Sequence, residues 1–115
     1  METVTSTEAV VRSLALTAPS SGVVVVNSTA NPVEDTAGDL EGCSITTGTT
    51  MDIDFLQFWE SAGENEGAFA QLAGTRGFDV AAGPFTANLG CKQFGSIGIS
   101  QITDSALTAT FIPSG

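Results

Sequence analysis

Phe85-Thr86-Ala87-Asn88-Leu89-Gly90-Cys91 alternates in the manner of a half-buried strand, so that Phe85, Ala87, Leu89 and Cys91 share one face of an extended chain. Gly42-Cys43-Ser44-Ile45 repeats the arrangement and sets Cys43 beside Ile45. Two strands that each turn a cysteine inward predict a disulfide between Cys43 and Cys91, joining neighbouring or facing strands inside a β core. The other reading is two reduced thiols packed as small apolar groups. A disulfide implies an oxidising compartment, and therefore a secreted or extracellular protein.

Outward from these two strands the pattern stays β-like. Residues 9–17 (AVVRSLALT) read as a strand that Ala18-Pro19-Ser20-Ser21-Gly22 ends with turn chemistry. Four consecutive valines, Val23 to Val26, restart it; β-branching favours a strand, and the unbroken apolar run suggests at least partial cover on both faces. Residues 30–42 form an acidic loop punctuated by Gly and Pro. Met51, Ile53 and Phe55 alternate with Asp52 and Asp54, and Leu56-Gln57-Phe58-Trp59 breaks that alternation as a bulge or a single helical turn. Gly74-Thr75-Arg76-Gly77 is read as a turn between strands at 69–72 and 78–80, one able to present Arg76 to an acidic partner. Residues 97–102 and 107–112 complete the strands, with Asp104-Ser105 between them. The expectation is an all-β, antiparallel two-sheet sandwich of about eight or nine strands, residues 9–115, preceded by a polar arm at residues 1–8.

Thirteen acidic residues face Arg12, Arg76 and Lys92, giving 115 residues a net charge of −10. Such a surface repels phosphate backbones and anionic lipid, which argues against nucleic acid and membrane partners. No apolar run is long enough to span a bilayer. The opening Met1 to Glu8 lacks the basic and apolar parts of a signal peptide, so any signal is expected to have been removed. Histidine is absent, which removes the commonest general base and transition-metal ligand together. Abundant Ser and Thr hydroxyls therefore lack a partner to activate them, and the chain is expected not to be an enzyme.

Two fold resemblances compete. Cys43, Trp59 and Cys91 follow the Cys, Trp, Cys order of immunoglobulin-like sandwiches, although Leu89 stands where their tyrosine would be. Thr17-Ala18-Pro19-Ser20-Ser21-Gly22 with Val23 to Val26, Gly77-Phe78-Asp79-Val80-Ala81-Ala82-Gly83-Pro84-Phe85-Thr86-Ala87-Asn88-Leu89, and Ser105-Ala106-Leu107-Thr108-Ala109-Thr110-Phe111-Ile112-Pro113 resemble the opening, central and closing strands of C1q/TNF-like jelly rolls. The layout and composition are also similar to secreted bacterial β proteins. The jelly roll is preferred, and that resemblance implies a homotrimeric head.

Candidate sites are few. Asp35, Asp39 and Glu41 offer hard oxygen ligands for calcium, against the plainer reading of a solvated acidic loop. Phe55, Phe58 and Trp59 offer an aromatic platform for a sugar or an apolar ligand, or serve as core; a protein or carbohydrate ligand is the expected partner besides the chain itself. Asn27-Ser28-Thr29 is an N-glycosylation sequon. Asp52, Asp54 and Glu60 are the candidate carboxylates for acid–base work, and the alternation keeps Asp52 and Asp54 solvated. The expected function is an extracellular binding or self-assembling module. Its alternative is a filament or pilus subunit whose first residues add as a strand to a neighbour.

Overall fold

Gly22–Glu34 forms a long inner strand, and its alternation organises the first sheet. Val24, Val26, Ser28 and Ala30 are buried on one face, while Val23 and Val25 are half-buried and Asn27 and Thr29 exposed on the other. The structure, a computed structural model, describes residues 2–5, 7–34, 40–51, 57–60, 68–69, 71–94 and 100–114. In chain order the strands are β1 (Glu2–Val4), β2 (Ala9–Ala18), β3 (Gly22–Glu34), β4 (Leu40–Thr46), β5 (Gln57–Glu60), β6 (Ala68–Phe69), β7 (Leu72–Val80), β8 (Gly83–Gln93) and β9 (Ser100–Pro113). β1 and β6 are short, leaving seven strands of four residues or more among the described residues.

The protein is all-β, with two antiparallel sheets. The first runs β1-β9-β3-β7, with β6 continuing the β7 edge alongside β3; the second runs β2-β8-β4-β5. Pairings nest within one another: β4 with β5, β3 with β7, β2 with β8 and β1 with β9. The chain is thus one long antiparallel ribbon folded over on itself, closed by the further pairs β3 with β9 and β4 with β8. Residues 2–4, within the stretch read as a polar arm, pair with Ser100 to Ile102, and Val4 enters the core at 2% exposure.

Val24, Val26, Ala30, Leu72 and Ile102 from the first sheet meet Cys43, Ile45, Ala87, Leu89 and Cys91 from the second. Fully burying a Val, Leu or Ile side chain stabilises by about 1.5–3 kcal/mol. Phe78 and Phe85 extend the contact between the sheets, with ring centroids 5.3 Å apart. The result is long and narrow, 52 × 24 × 20 Å, with a radius of gyration of 15.2 Å; a compact chain of this length would have about 13 Å.

Three local expectations are corrected. Residues 74–77 are not a turn but the middle of β7. Gly74 is there because the Gln57 side chain packs 2.8 Å from where a Cβ would sit, so the glycine marks a close approach inside a strand. No loop begins at residue 30: β3 runs on to Glu34, and Pro32 lies within it, at a register shift against β9. A proline has no N–H for a ladder, and the shift accommodates it. Asp104-Ser105 does not separate two strands either, since β9 runs through it and absorbs the irregularity as the same shift, with Thr103 donating to the Asn31 carbonyl at 3.1 Å. Met51 lies outside any strand, and residues 52–56 lie outside the described residues. At Gly83, where β8 begins, φ is +130°, a conformation that L side chains rarely adopt.

Candidate functional site

Cys43 and Cys91 sit directly opposite each other on β4 and β8, bonded with Cα atoms 4.1 Å apart and buried at 1% and 0% exposure. The bond joins neighbouring strands of one sheet and lies between the layers. Alternation carries the same inward face to Ile45 opposite Leu89 and to Glu41 opposite Gln93. Glu41, expected on a calcium loop, is instead an interior residue of β4 at 0% exposure. Asp35 and Asp39 lie outside the described residues, which contain no cluster of three metal-ligating side chains.

The aromatic candidates divide in the same way. Phe58 and Trp59 belong to β5, their backbones paired with Gly42 and Glu41, and Glu60 pairs with Leu40. Phe55, Asp52 and Asp54 lie outside the described residues. No pocket is present among the described residues, and no helix there is long and apolar enough to cross a membrane. Arg76 turns inward from β7: its Nη1 donates to the Ile45 carbonyl at 2.8 Å and its guanidinium lies 4.7 Å from the centre of the Phe78 ring. It ties the two sheets together and does not present a charge from a turn.

The second sheet has part of its outer face covered. Residues 47–51 fold over β8, where Asn88 donates to the Gly48 carbonyl at 2.9 Å and accepts from Ser13, and Met51 packs against the bare Cα of Gly90. Glu8 accepts from the Met51 amide at 3.1 Å, which fixes the end of this flap.

Among the described residues, nothing folds over the outer face of the first sheet. On β3 it carries Val23, Val25, Asn27 and Thr29; the paired positions on β7 are Asp79, Gly77, Thr75 and Ala73. Those on β9 are Ile112, Thr110, Thr108 and Ala106. Asn27, the sequon residue, stands mid-grid and accepts a hydrogen bond from Thr75 at 2.6 Å. Ile112 is 51% exposed. Twelve outward positions in a chain of net charge −10 therefore hold one charge, Asp79, in the last row. Strand spacing and repeat give this grid about 14 × 27 Å, or roughly 400 Å² in projection.

Sequence reasoning missed the grid, because it assigned residues 74–77 to a turn and so removed a third of it. The signal was present as three stretches whose alternate positions are free of charge: 23–29, 73–77 and 106–112. Comparison of the chain with family models, with curated proteins and with solved structures found no match.

Proposed function

We propose that this chain is a non-enzymatic, extracellular β-sandwich module that works by self-association, with a protein or carbohydrate as the alternative partner for the same face. The observation that carries the reading is the open, nearly uncharged grid of β3, β7 and β9 on an otherwise acidic molecule. Charged residues are depleted at the centres of protein interfaces, and repulsion between copies of a polyanion is least where the facing surfaces carry no charge. The buried disulfide supports an oxidising, extracellular setting.

The jelly roll is the architecture proposed for the sandwich. Support comes from the nested pairing, in which a long two-stranded ribbon is rolled so that its successive pairs, β1 with β9, β2 with β8, β3 with β7 and β4 with β5, alternate between the sheets. An immunoglobulin domain places its disulfide between sheets, whereas Cys43 and Cys91 are neighbours in one sheet. Sedimentation across concentration tests the function: a reversible oligomer is expected, and a monomer at millimolar concentration refutes self-association.

A filament subunit assembled by strand exchange is the second reading. The short β1, with Val4 in the core and, among the described residues, β9 as its one partner strand, favours it, because such a strand is a transferable element. Deleting residues 2–8 discriminates: polymers lost on deletion support the filament, and a discrete oligomer that survives supports face-to-face association.

A further inference from the structure

We infer that the chain pairs with a second copy of itself as an antiparallel dimer, the uncharged grids of β3, β7 and β9 facing across a twofold axis and the acidic parts pointing away from each other. The inference rests on the self-association reading and adds its symmetry. Its basis is the distribution of charge along the 52 Å axis. Residues 13–30, 72–88 and 105–114 hold one basic and one acidic residue, Arg76 and Asp79, and are neutral together. Among the described residues outside these segments, Glu2, Glu8, Glu34, Glu41, Glu60 and Asp104 stand against Arg12 and Lys92, a net charge of −4.

Strand register gathers the three neutral segments at one end. Ser13 pairs with Asn88, and Ala30 pairs with both Leu72 and Ser105. From those rows the strands run together to the turns after Ala18 and Val80, where Gly22 meets Pro113. One half of the rod is thus neutral, and the grid lies wholly within it.

Copies aligned in parallel, about a twofold or a threefold axis, would hold their anionic halves side by side. Faces packed at about 10 Å leave those charges little more than one Debye length apart, which is about 8 Å at physiological salt. An antiparallel overlap of the neutral halves moves the anionic halves about 50 Å apart, several Debye lengths, where repulsion is screened. It also carries the two copies of Asp79 to opposite rims of the contact, whereas a threefold gathers them. An isologous contact must be self-complementary, and a surface of Thr, Ala, Val and Asn meets that demand without ion pairs. The second sheet offers a poorer face: its neutral part is only β2 and β8 wide, and the flap at residues 47–51 overlies β8 nearby.

The grid's 400 Å² or so per copy is about half of what a standard interface buries on each partner. The dimer is accordingly a reversible one, with a dissociation constant in the micromolar range or weaker.

Sedimentation from 1 µM to 1 mM, combined with small-angle X-ray scattering of the associated species, tests the inference on the intact chain. Two 52 Å molecules overlapped by half have a maximum dimension of about 78 Å, against about 52 Å for parallel copies. Thr110→Asp, or Ala106→Asp should the first fold poorly, places a charge within the grid and is expected to weaken the dimer ten-fold or more. Thr17→Asp, on the outer face of β2, is expected to leave it unchanged. Melting curves check that each variant is folded. A monomer at every concentration overturns the self-association reading and this inference with it. A trimer, or a dimer near 52 Å, overturns the inference alone, as does equal weakening by Thr17→Asp.

Discussion

Breaking the bond between Cys43 and Cys91 should remove a large part of the fold's stability, and the size of the loss follows from where the bond lies. It closes a loop between residues 48 apart. In the chain-entropy model that closure removes about 14 cal/mol/K from the unfolded chain, or about 4 kcal/mol at 25 °C. Unfolding entropy for 115 residues is about 0.24 kcal/mol/K near the transition, so the midpoint should fall by roughly 15 °C. The double substitution Cys43→Ala with Cys91→Ala adds the packing lost with two buried sulfur atoms, whereas reduction of the native chain keeps them. Urea unfolding of oxidised, reduced and doubly substituted protein separates the two effects. Reduced protein should lose about 4 kcal/mol, the substituted protein somewhat more, and the denaturant slope should rise as the unfolded chain expands. A loss under about 1 kcal/mol in both would refute the reasoning. It would mean that the unfolded chain already holds residues 43 and 91 together.

Gly22→Ala should cost about 2–3 kcal/mol in chemical denaturation, because the new Cβ would collide with the Ile112 carbonyl oxygen and come 2.9 Å from the Phe111 ring. Asn88→Ala removes the link from Ser13 through Asn88 to the Gly48 carbonyl; a loss of about 1–3 kcal/mol is expected, with faster amide exchange at residues 48–51. Arg76→Gln should cost about 1–3 kcal/mol by removing the donor to Ile45 and the guanidinium over Phe78. Leu89→Ala, at a side chain of 0% exposure, should cost about 2–5 kcal/mol, the largest loss of the four.

How much of this was legible in the sequence depended on how local each feature is. The valine quartet read correctly as a strand, but its two faces differ: Val24 and Val26 are fully buried, whereas Val23 and Val25 are only half-buried, on the open outer face. The alternation from Phe85 to Cys91 gave the inward face of β8, and hence the cysteine pair, because facing is a property of a few adjacent residues. Which strand Cys91 pairs with is not local, and the choice between a bond within a sheet and one between sheets had to come from the register of β4 against β8. Gly74 and Gly77 misled because glycine serves both turns and close approaches, and only the presence of Gln57 beside position 74 distinguishes them. Pro32 misled in the same way, since the shift that accommodates it lies in β9, about seventy residues later. The uncharged grid was the least legible, because it is assembled from three strands and the strong net charge of the whole chain obscured it.

The nested pairing carries an implication for the order in which the molecule assembles. Leu40 meets Glu60 across only 20 residues, whereas Ala9 meets Cys91 across 82 and Glu2 meets Ile102 across 100. The cheapest nucleus is the tip formed by β4 and β5, from which the ribbon zips towards its two ends. Contacts of such long range place the chain among slow folders, in the millisecond-to-second range. β4 and β8 are not partners within the ribbon; they become neighbours only when it rolls. Native oxidation must therefore follow rolling, and thiols trapped during refolding would time that step, with Cys43 and Cys91 unprotected in every intermediate that has zipped but not yet curled.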